Sequence, residues 1–186
     1  MVCFAKDFLG CNFLREIFLF YFGYSSNMSI NYLKNFRKIN PVSSFPVVLE
    51  NYKLIMNMPG PNFIEPNFAN IVYSFGDKVE GILHEVSDAE LEKIMKSEGE
   101  DYQIVDLEVL RGKKIYSAKT LMFKSNIEED LPSSRRYLRI LIKAAITGKL
   151  SDKYISSLRA RKSVYYPVVS DLFAIRVFLW VWSRSR

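Results

Sequence analysis

Alternating runs that come in hairpins, joined by short turns and not alternating one by one with helices, constrain this chain most. From Lys78 to Val86 the side chains of Val79, Gly81, Leu83 and Glu85 fall on one side of an extended strand. Those of Glu80, Ile82, His84 and Val86 fall on the other. Tyr102 to Leu110 alternates again, Gly112 turns, and Ile115 to Phe123 alternates once more. Phe45 to Met56 and Ala69 to Tyr73 read as further strands. Pro59-Gly60-Pro61 reads as a turn or loop, and Gly76-Asp77 as a hairpin-like turn. Parallel strands need long crossovers, whereas turns this short join antiparallel neighbours.

The helical patterns come between and after these runs. Met28 to Phe36 has helical spacing, with Ser26 or Asn27 placed to cap it. Ser87-Asp88 opens a helix with Glu90 three residues past Ser87, as in a capping box. Leu91, Ile94 and Met95 share one face of it, and it ends near Gly99. Ser134 to Thr147 carries an apolar stripe of Tyr137, Leu138, Leu141, Ile142 and Ala145 and stops at Gly148; Ser151 to Leu158 follows. With about six strands and three or four helices, the pattern specifies an α+β fold. Its sheet is largely antiparallel and curled toward a barrel. At 186 residues and 49% hydrophobic, the chain holds one sizeable core, not two.

Charge is placed unevenly. Met1 to Pro132 holds 14 basic and 18 acidic residues, and Ser133 to Arg186 holds 12 basic and 2 acidic, so the net +6 is a −4 body with a +10 end. Such an end either leans on the acidic body or meets an acidic partner, a nucleic acid or an anionic membrane. Asp171 to Trp182 has helical spacing, with Leu172, Ile175, Leu179 and Trp182 on one face. The readings open to it are packing on the domain, docking on a membrane surface through its aromatics and the arginines that follow, contact with a partner, and disorder.

Few catalytic frameworks are open to this chain. Its one histidine, His84, lies mid-strand and reads as a sheet residue. Cys3 and Cys11 form no CxxC pair, so neither a zinc site nor a disulfide framework follows; two free thiols in a reducing cytosol is the simple reading. Lys6, Asp7, Arg15 and Glu16 interrupt Met1 to Phe22 too often for a signal peptide or a membrane span. Two features stand out. Ile17 to Phe22 is an apolar strand that stops at Gly23 and gives way to Tyr24-Ser25-Ser26-Asn27 before a helix, a place where backbone N–H groups gather for an anion. Glu98 stands at a helix C-terminus beside Gly99, where the helix dipole disfavours a carboxylate and acids seldom lie.

Tyr21-Phe22-Gly23-Tyr24-Ser25-Ser26-Asn27-Met28 resembles the YFAYGSNM signature of the gamma-glutamylcyclotransferase superfamily. Asn67 to Ile71, Gly76 to Leu83, Leu91 through Glu98-Gly99 to Tyr102, and Pro132 to Leu158 follow in the family's order. The resemblance covers Phe18 to Leu158. It divides the chain into an N-terminal extension (1–17), a gamma-glutamylcyclotransferase-like domain (18–158) and a basic, aromatic C-terminal extension (159–186).

The resemblance implies a small, mixed barrel-like sheet with surrounding helices, and a cytoplasmic enzyme without metal or organic cofactor. Its substrate would be a small gamma-glutamyl compound, with no nucleic acid as partner. The alpha-amine attacks its own gamma-carbonyl, releasing 5-oxoproline and a free amino acid or amine. Glu98 matches the family's acid/base. Tyr24, Ser25, Ser26 and Asn27 match its substrate-holding loop, and Tyr102 matches a tyrosine near the site. The family's usual glycine is Ser25 here, which would be strained if that position needed a positive φ. The other reading of the same residues is an inactive relative that binds a small anion or acts as an interaction module.

Overall fold

The structure, a computed structural model, describes residues 18–98, 101–124 and 129–184. Cys3, Cys11, the N-terminal extension and Gly99 lie outside them. In chain order the strands are β1 (Phe18–Gly23), β2 (Ser43–Asn62), β3 (Glu65–Ser87), β4 (Tyr102–Arg111) and β5 (Lys114–Phe123), with two short strands, β6 (Ser133–Ser134) and β7 (Ser163–Val164). The helices are α1 (Ile30–Tyr32, running into a π turn over Leu33–Arg37), α2 (Asp88–Glu98), α3 (Arg135–Thr147), α4 (Asp152–Arg159) and α5 (Val169–Arg184).

The expected α+β barrel is present. Five strands close in the order β1-β3-β2-β4-β5. Every neighbouring pair is antiparallel except β1 with β5, which run parallel and meet at Tyr21 and Lys119. The β4–β5 hairpin turns at Gly112, as the alternation specified.

Two turns are placed differently from the sequence reading. Pro59-Gly60-Pro61 is not the turn between β2 and β3 but part of the β2 arm. The chain reverses after Asn62, whose side-chain Oδ1 accepts from Ile64 N at 2.9 Å and Glu65 N at 3.0 Å. Gly60 is required there because a Cβ would collide with the Glu65 carbonyl oxygen at 1.5 Å. Gly76-Asp77 does not join two strands either. Tyr73 and Lys78 both pair with β2, opposite Tyr52 and Glu50, so Ser74 to Asp77 bulges out against Asn51 alone. A polar turn inside a strand and a turn between strands look alike in one sequence; only pairing distinguishes them.

The core gathers where β3 is buried on both faces. Leu83 and Val79 pack with Phe22, Leu49, Ile71 and Val109, and the helices bring Leu138, Leu141, Ala145 and Leu158 to the same cluster. A second cluster joins Tyr21, Val86 and Leu121 of the barrel to Leu33, Ile39, Leu91 and Ile94. It locks α2 and the segment after β1 together, and the candidate site lies between those two.

Parts of the basic end lean on the acidic body. Arg136 Nε donates to Glu65 at 2.6 Å, and Arg161 NH1 donates to both Asp130 oxygens at 2.8 and 2.7 Å. The short strand β7 pairs in parallel with β6, so residues beyond 158 stay attached to the barrel. The helix read from Asp171 to Trp182 is α5.

Candidate functional site

β1 delivers the loop into a crowded place. At Gly23 an added Cβ would sit 2.8 Å from the Asn27 carbonyl oxygen, so the chain can fold back on itself only because no side chain is there. Ser26–Met28 then makes one tight turn, closed by Met28 N–H to Ser25 O at 3.0 Å and Ser29 N–H to Ser26 O at 3.1 Å. The helix cap is Ser29, whose Oγ accepts from Tyr32 N at 3.2 Å, and not Ser26 or Asn27. Those two residues stay within the turn. Ser25 has φ −119°, a region open to any residue, so serine in place of glycine carries no left-handed strain.

Helix α2 aims Glu98 inward by periodicity. Leu91 and Ile94 are its buried residues, and Glu98 continues the same face, seven residues after one and four after the other. The capping box fixes the other end: Ser87 N donates to Glu90 Oε2 at 3.1 Å, and Glu90 N donates to Ser87 Oγ at 3.4 Å. The carboxylate reaches the loop, where Asn27 Nδ2 donates to Glu98 Oε1 at 3.1 Å and to the Tyr21 hydroxyl at 2.9 Å. Residues 71 positions apart thus share one hydrogen-bonded cluster.

Arg37 completes this cluster. It lies at the end of the π turn after α1 and pairs its guanidinium with Glu98 Oε1, the two side chains being 11% and 19% exposed. A charged pair so far from water has an electrostatic strength that surface pairs lack. Asn27 Oδ1 and Arg37 Nε are both buried with no hydrogen-bonding partner among the described residues. Buried polar atoms left bare cost about 1–3 kcal/mol each, and their clustering marks a site built for something other than stability. Nothing in the sequence pattern distinguished Arg37 from its basic neighbours.

Three tyrosines surround the carboxylate. Burial, and next the Glu98 charge, hold the Tyr21 and Tyr102 hydroxyls well above the ordinary tyrosine range. Burial does the same to Tyr137. All three therefore remain neutral hydroxyls across ordinary pH. Tyr137, which the sequence placed in the α3 apolar stripe, accepts from Ala69 N at 3.2 Å and, like Ser25, lines the cleft. Tyr102 also faces the cleft, but its hydroxyl donates to the Met58 sulfur, not to Glu98. Tyr24 turns its ring into the core and donates to Leu121 O at 2.6 Å, so its side chain is committed away from the cleft.

His84 acts on the loop from behind. It is fully buried; its Nδ1 meets Ser44 Oγ at 2.8 Å and its Nε2 meets the Asn27 carbonyl oxygen at 2.9 Å. Burial holds its pKa down to about 4, so the ring is neutral near neutrality. A neutral ring fits Nε2–H donating to Asn27 O while Nδ1 accepts from Ser44.

These groups open into a cleft of about 1090 Å³. Ser25 and Ser26 lie on one wall, Glu98, Arg37 and Tyr102 on another, and Val177 and Trp180 of α5 contribute at its edge. Among the described residues, Arg37, Arg111, Arg136, Lys143 and Lys149 line it against Glu98 as the lone acid, so the cleft favours anions. Among the described residues no cluster of three or more histidine, cysteine, aspartate or glutamate side chains could hold a metal ion.

A model of the AIG2-like family matches residues 78–158, from the second half of β3 to the end of α4. Among solved structures, a gamma-glutamyl cyclotransferase superposes with a TM-score of 0.70 at 22% identity, covering 81% of this chain and 92% of that one. An uncharacterised protein from Homo sapiens gives 0.68 at 22% identity, with 80% and 90% covered. YkqA from Bacillus subtilis gives 0.63 at 18% identity, covering 79% of this chain and 56% of that one. A search of curated protein sequences found no match. At these identities the likeness shows a shared fold, and the chain resembles the gamma-glutamylcyclotransferase-like superfamily, as its loop signature implied.

Proposed function

We propose that this chain is a gamma-glutamylcyclotransferase, acting on a gamma-glutamyl amino acid or amine, with Glu98 as general base and then general acid. The observation that carries the reading is the hydrogen bond from Asn27 to Glu98. It ties the helix-end carboxylate to the loop that carries the superfamily signature, in one cleft that favours anions.

The reaction needs few groups. The alpha-amine nitrogen bonds to the gamma-carbonyl carbon while Glu98 takes the proton it loses. The gamma C–N bond then breaks, and the departing nitrogen receives that proton from Glu98. No water is consumed, and the carboxylate returns to its starting form. Because nucleophile and electrophile belong to one molecule, holding the chain in a ring-closing conformation supplies much of the acceleration. The first amides of the Ser25–Asn27 turn are outside the turn's own bonding pattern and suit the substrate carboxylate or the oxyanion formed during attack. Tyr24 takes part through its backbone, since its hydroxyl bonds Leu121 O. Tyr102 and Tyr137 offer neutral hydroxyls to the substrate's polar edge.

Arg37 has two tasks in this scheme. It orients the Glu98 carboxylate, and it meets the substrate's alpha-carboxylate when substrate draws Glu98 toward its amine. The test is release of 5-oxoproline from a panel of gamma-glutamyl dipeptides and amines, abolished in Glu98→Gln. A folded wild-type protein inert on the whole panel would remove the reading.

The Arg37–Glu98 pair also favours a second reading, in which the carboxylate is spent on structure and the cleft only binds a small anion. Gamma-glutamyl compounds would then raise the unfolding temperature of wild type and Glu98→Gln alike, with no turnover in either.

A further inference from the structure

Helix α5 is apolar on two sides. One side faces the body: Ser170 and Ala174 line a smaller cavity against α3, and Val177 lines the Glu98 cleft. The other side carries Leu172, Ile175, Leu179 and Trp182, whose spacing of three, four and three residues makes a straight stripe along a helix. Leu172, Ile175 and Leu179 are 62, 55 and 53% exposed, although fully solvated leucines and isoleucines rarely line up in this way. An ordinary surface helix would place charges there.

The charge around α5 selects the occupant. Its one acid, Asp171, accepts from the Tyr165 hydroxyl at 2.8 Å, and the exposed Arg176 adjoins the stripe. The sequence from Ser133 onward carries 12 basic and 2 acidic residues, while the rest is net acidic. An anionic surface therefore attracts this end and repels the other, which orients the molecule before contact. At 16 residues α5 is shorter than the roughly 20 needed to span a bilayer. No helix among the described residues is long and apolar enough to cross one. An apolar stripe with a basic flank lies instead in the plane of the interface. A phosphate backbone alone would leave the stripe unused.

We propose that α5 is a docking helix for anionic lipid surfaces, seating Leu172, Ile175 and Leu179 among the acyl chains while the basic residues of the C-terminal region meet the headgroups. Trp180 and Trp182 are the chain's two tryptophans and both belong to α5, so tryptophan emission, excited selectively, reads this helix alone.

The experiment mixes the full chain with phosphatidylserine-containing vesicles and, separately, with phosphatidylcholine vesicles. Co-sedimentation should be roughly tenfold greater with the anionic vesicles and should fall as salt is raised. Tryptophan emission should shift to the blue. Leu172→Ser/Ile175→Ser/Leu179→Ser should abolish both while circular dichroism reports an intact barrel, and Arg176→Glu should weaken binding several-fold. Absence of sedimentation and of any fluorescence shift for wild type overturns the proposal, whatever the variants do. So does a triple-serine protein that still sediments. Equally, if light scattering finds a dimer that the triple substitution dissociates, and vesicles fail to bind, the stripe belongs to a second copy of the chain.

Discussion

The mouth of the barrel and helix α5 break the usual pattern of burial in opposite directions. At the mouth, Glu98, Arg37 and Asn27 sit largely away from water, and two of their polar atoms lack partners among the described residues. On α5, a row of leucine and isoleucine side chains is more than half exposed to solvent. Folding alone favours neither arrangement. Removing an ion from water costs several kcal/mol unless it is well paired, and each large apolar side chain left wet forgoes about 1.5–3 kcal/mol. The first region is narrow, many-stranded in its support and bonded from several directions. The second is one helix, held on one side. Chemistry on a small molecule needs the first kind of place, and contact with an extended surface needs the second.

Substitutions can break that comparison. The largest expected effect is Glu98→Gln, which keeps shape and hydrogen-bonding capacity but cannot cycle a proton. We expect 5-oxoproline release to fall roughly a thousandfold in protein that circular dichroism shows to be folded, with a lower unfolding midpoint because Arg37 loses its charged partner. Undiminished 5-oxoproline release by folded Glu98→Gln would mean that the carboxylate is structural, and the two regions would no longer contrast in purpose.

Next in size is the pH response of His84. Its folded pKa, about 4, lies below the ordinary 6.5, so the unfolded chain binds the proton more readily between these values. Stability is fully present above about pH 6.5 and is lost as pH falls toward 4, by about 3 kcal/mol in all. Urea unfolding at pH 7 and at pH 4.5, in wild type and in His84→Gln, measures it; the variant should be less stable at pH 7 and should lose less on acidification. The loss should fall on the Asn27 loop, which the ring holds, and leave α5 fluorescence unaltered.

Arg37→Ala should lower kcat/KM about tenfold to a hundredfold, the range for losing a charge-assisted hydrogen bond, with Arg37→Lys recovering part of it. If the alanine variant turns over faster, the ion pair restrains Glu98 and does not serve it. The smallest effect is the most pointed. Serine at 172, 175 and 179 together should change barrel stability by less than about 1 kcal/mol, because exposed side chains carry little of it. A large loss would show that α5 belongs to the core and that its exposed stripe has another meaning.

Periodicity carried most of the fold. The β4–β5 hairpin, the capped α2 and α3 helices and the strand-to-loop transition at Gly23 all follow from local patterns, since each element's signal lies within its own residues. The β2–β3 arm did not follow, because whether Pro59-Gly60-Pro61 or Asn62-Phe63-Ile64 makes the reversal depends on pairing across the sheet. In the candidate site, Glu98 was visible as an acid at an unsuitable helix end. It also had a second signal, its place on the Leu91–Ile94 face, which makes it inward-facing by spacing alone. Arg37 and Tyr137 were not visible as site residues. Their roles arise from a π turn and from the side of α3 that lines the cleft, and neither leaves a mark in one sequence. Tyr24 was legible only through the family signature, and the structure assigns its hydroxyl to the core.

The seam where Tyr21 meets Lys119 has a consequence for assembly of the molecule. It joins the first strand of the barrel to the fifth, and such distant partners come together late, after the hairpins that form from adjacent residues. The loop carrying Asn27 leaves directly from that first strand. A refolding chain would regain most of its sheet signal before it could hold a ligand, so competence reports on closure of the ring and not on its parts. Stopped-flow circular dichroism followed beside binding or turnover would show the delay, and simultaneous recovery would remove it.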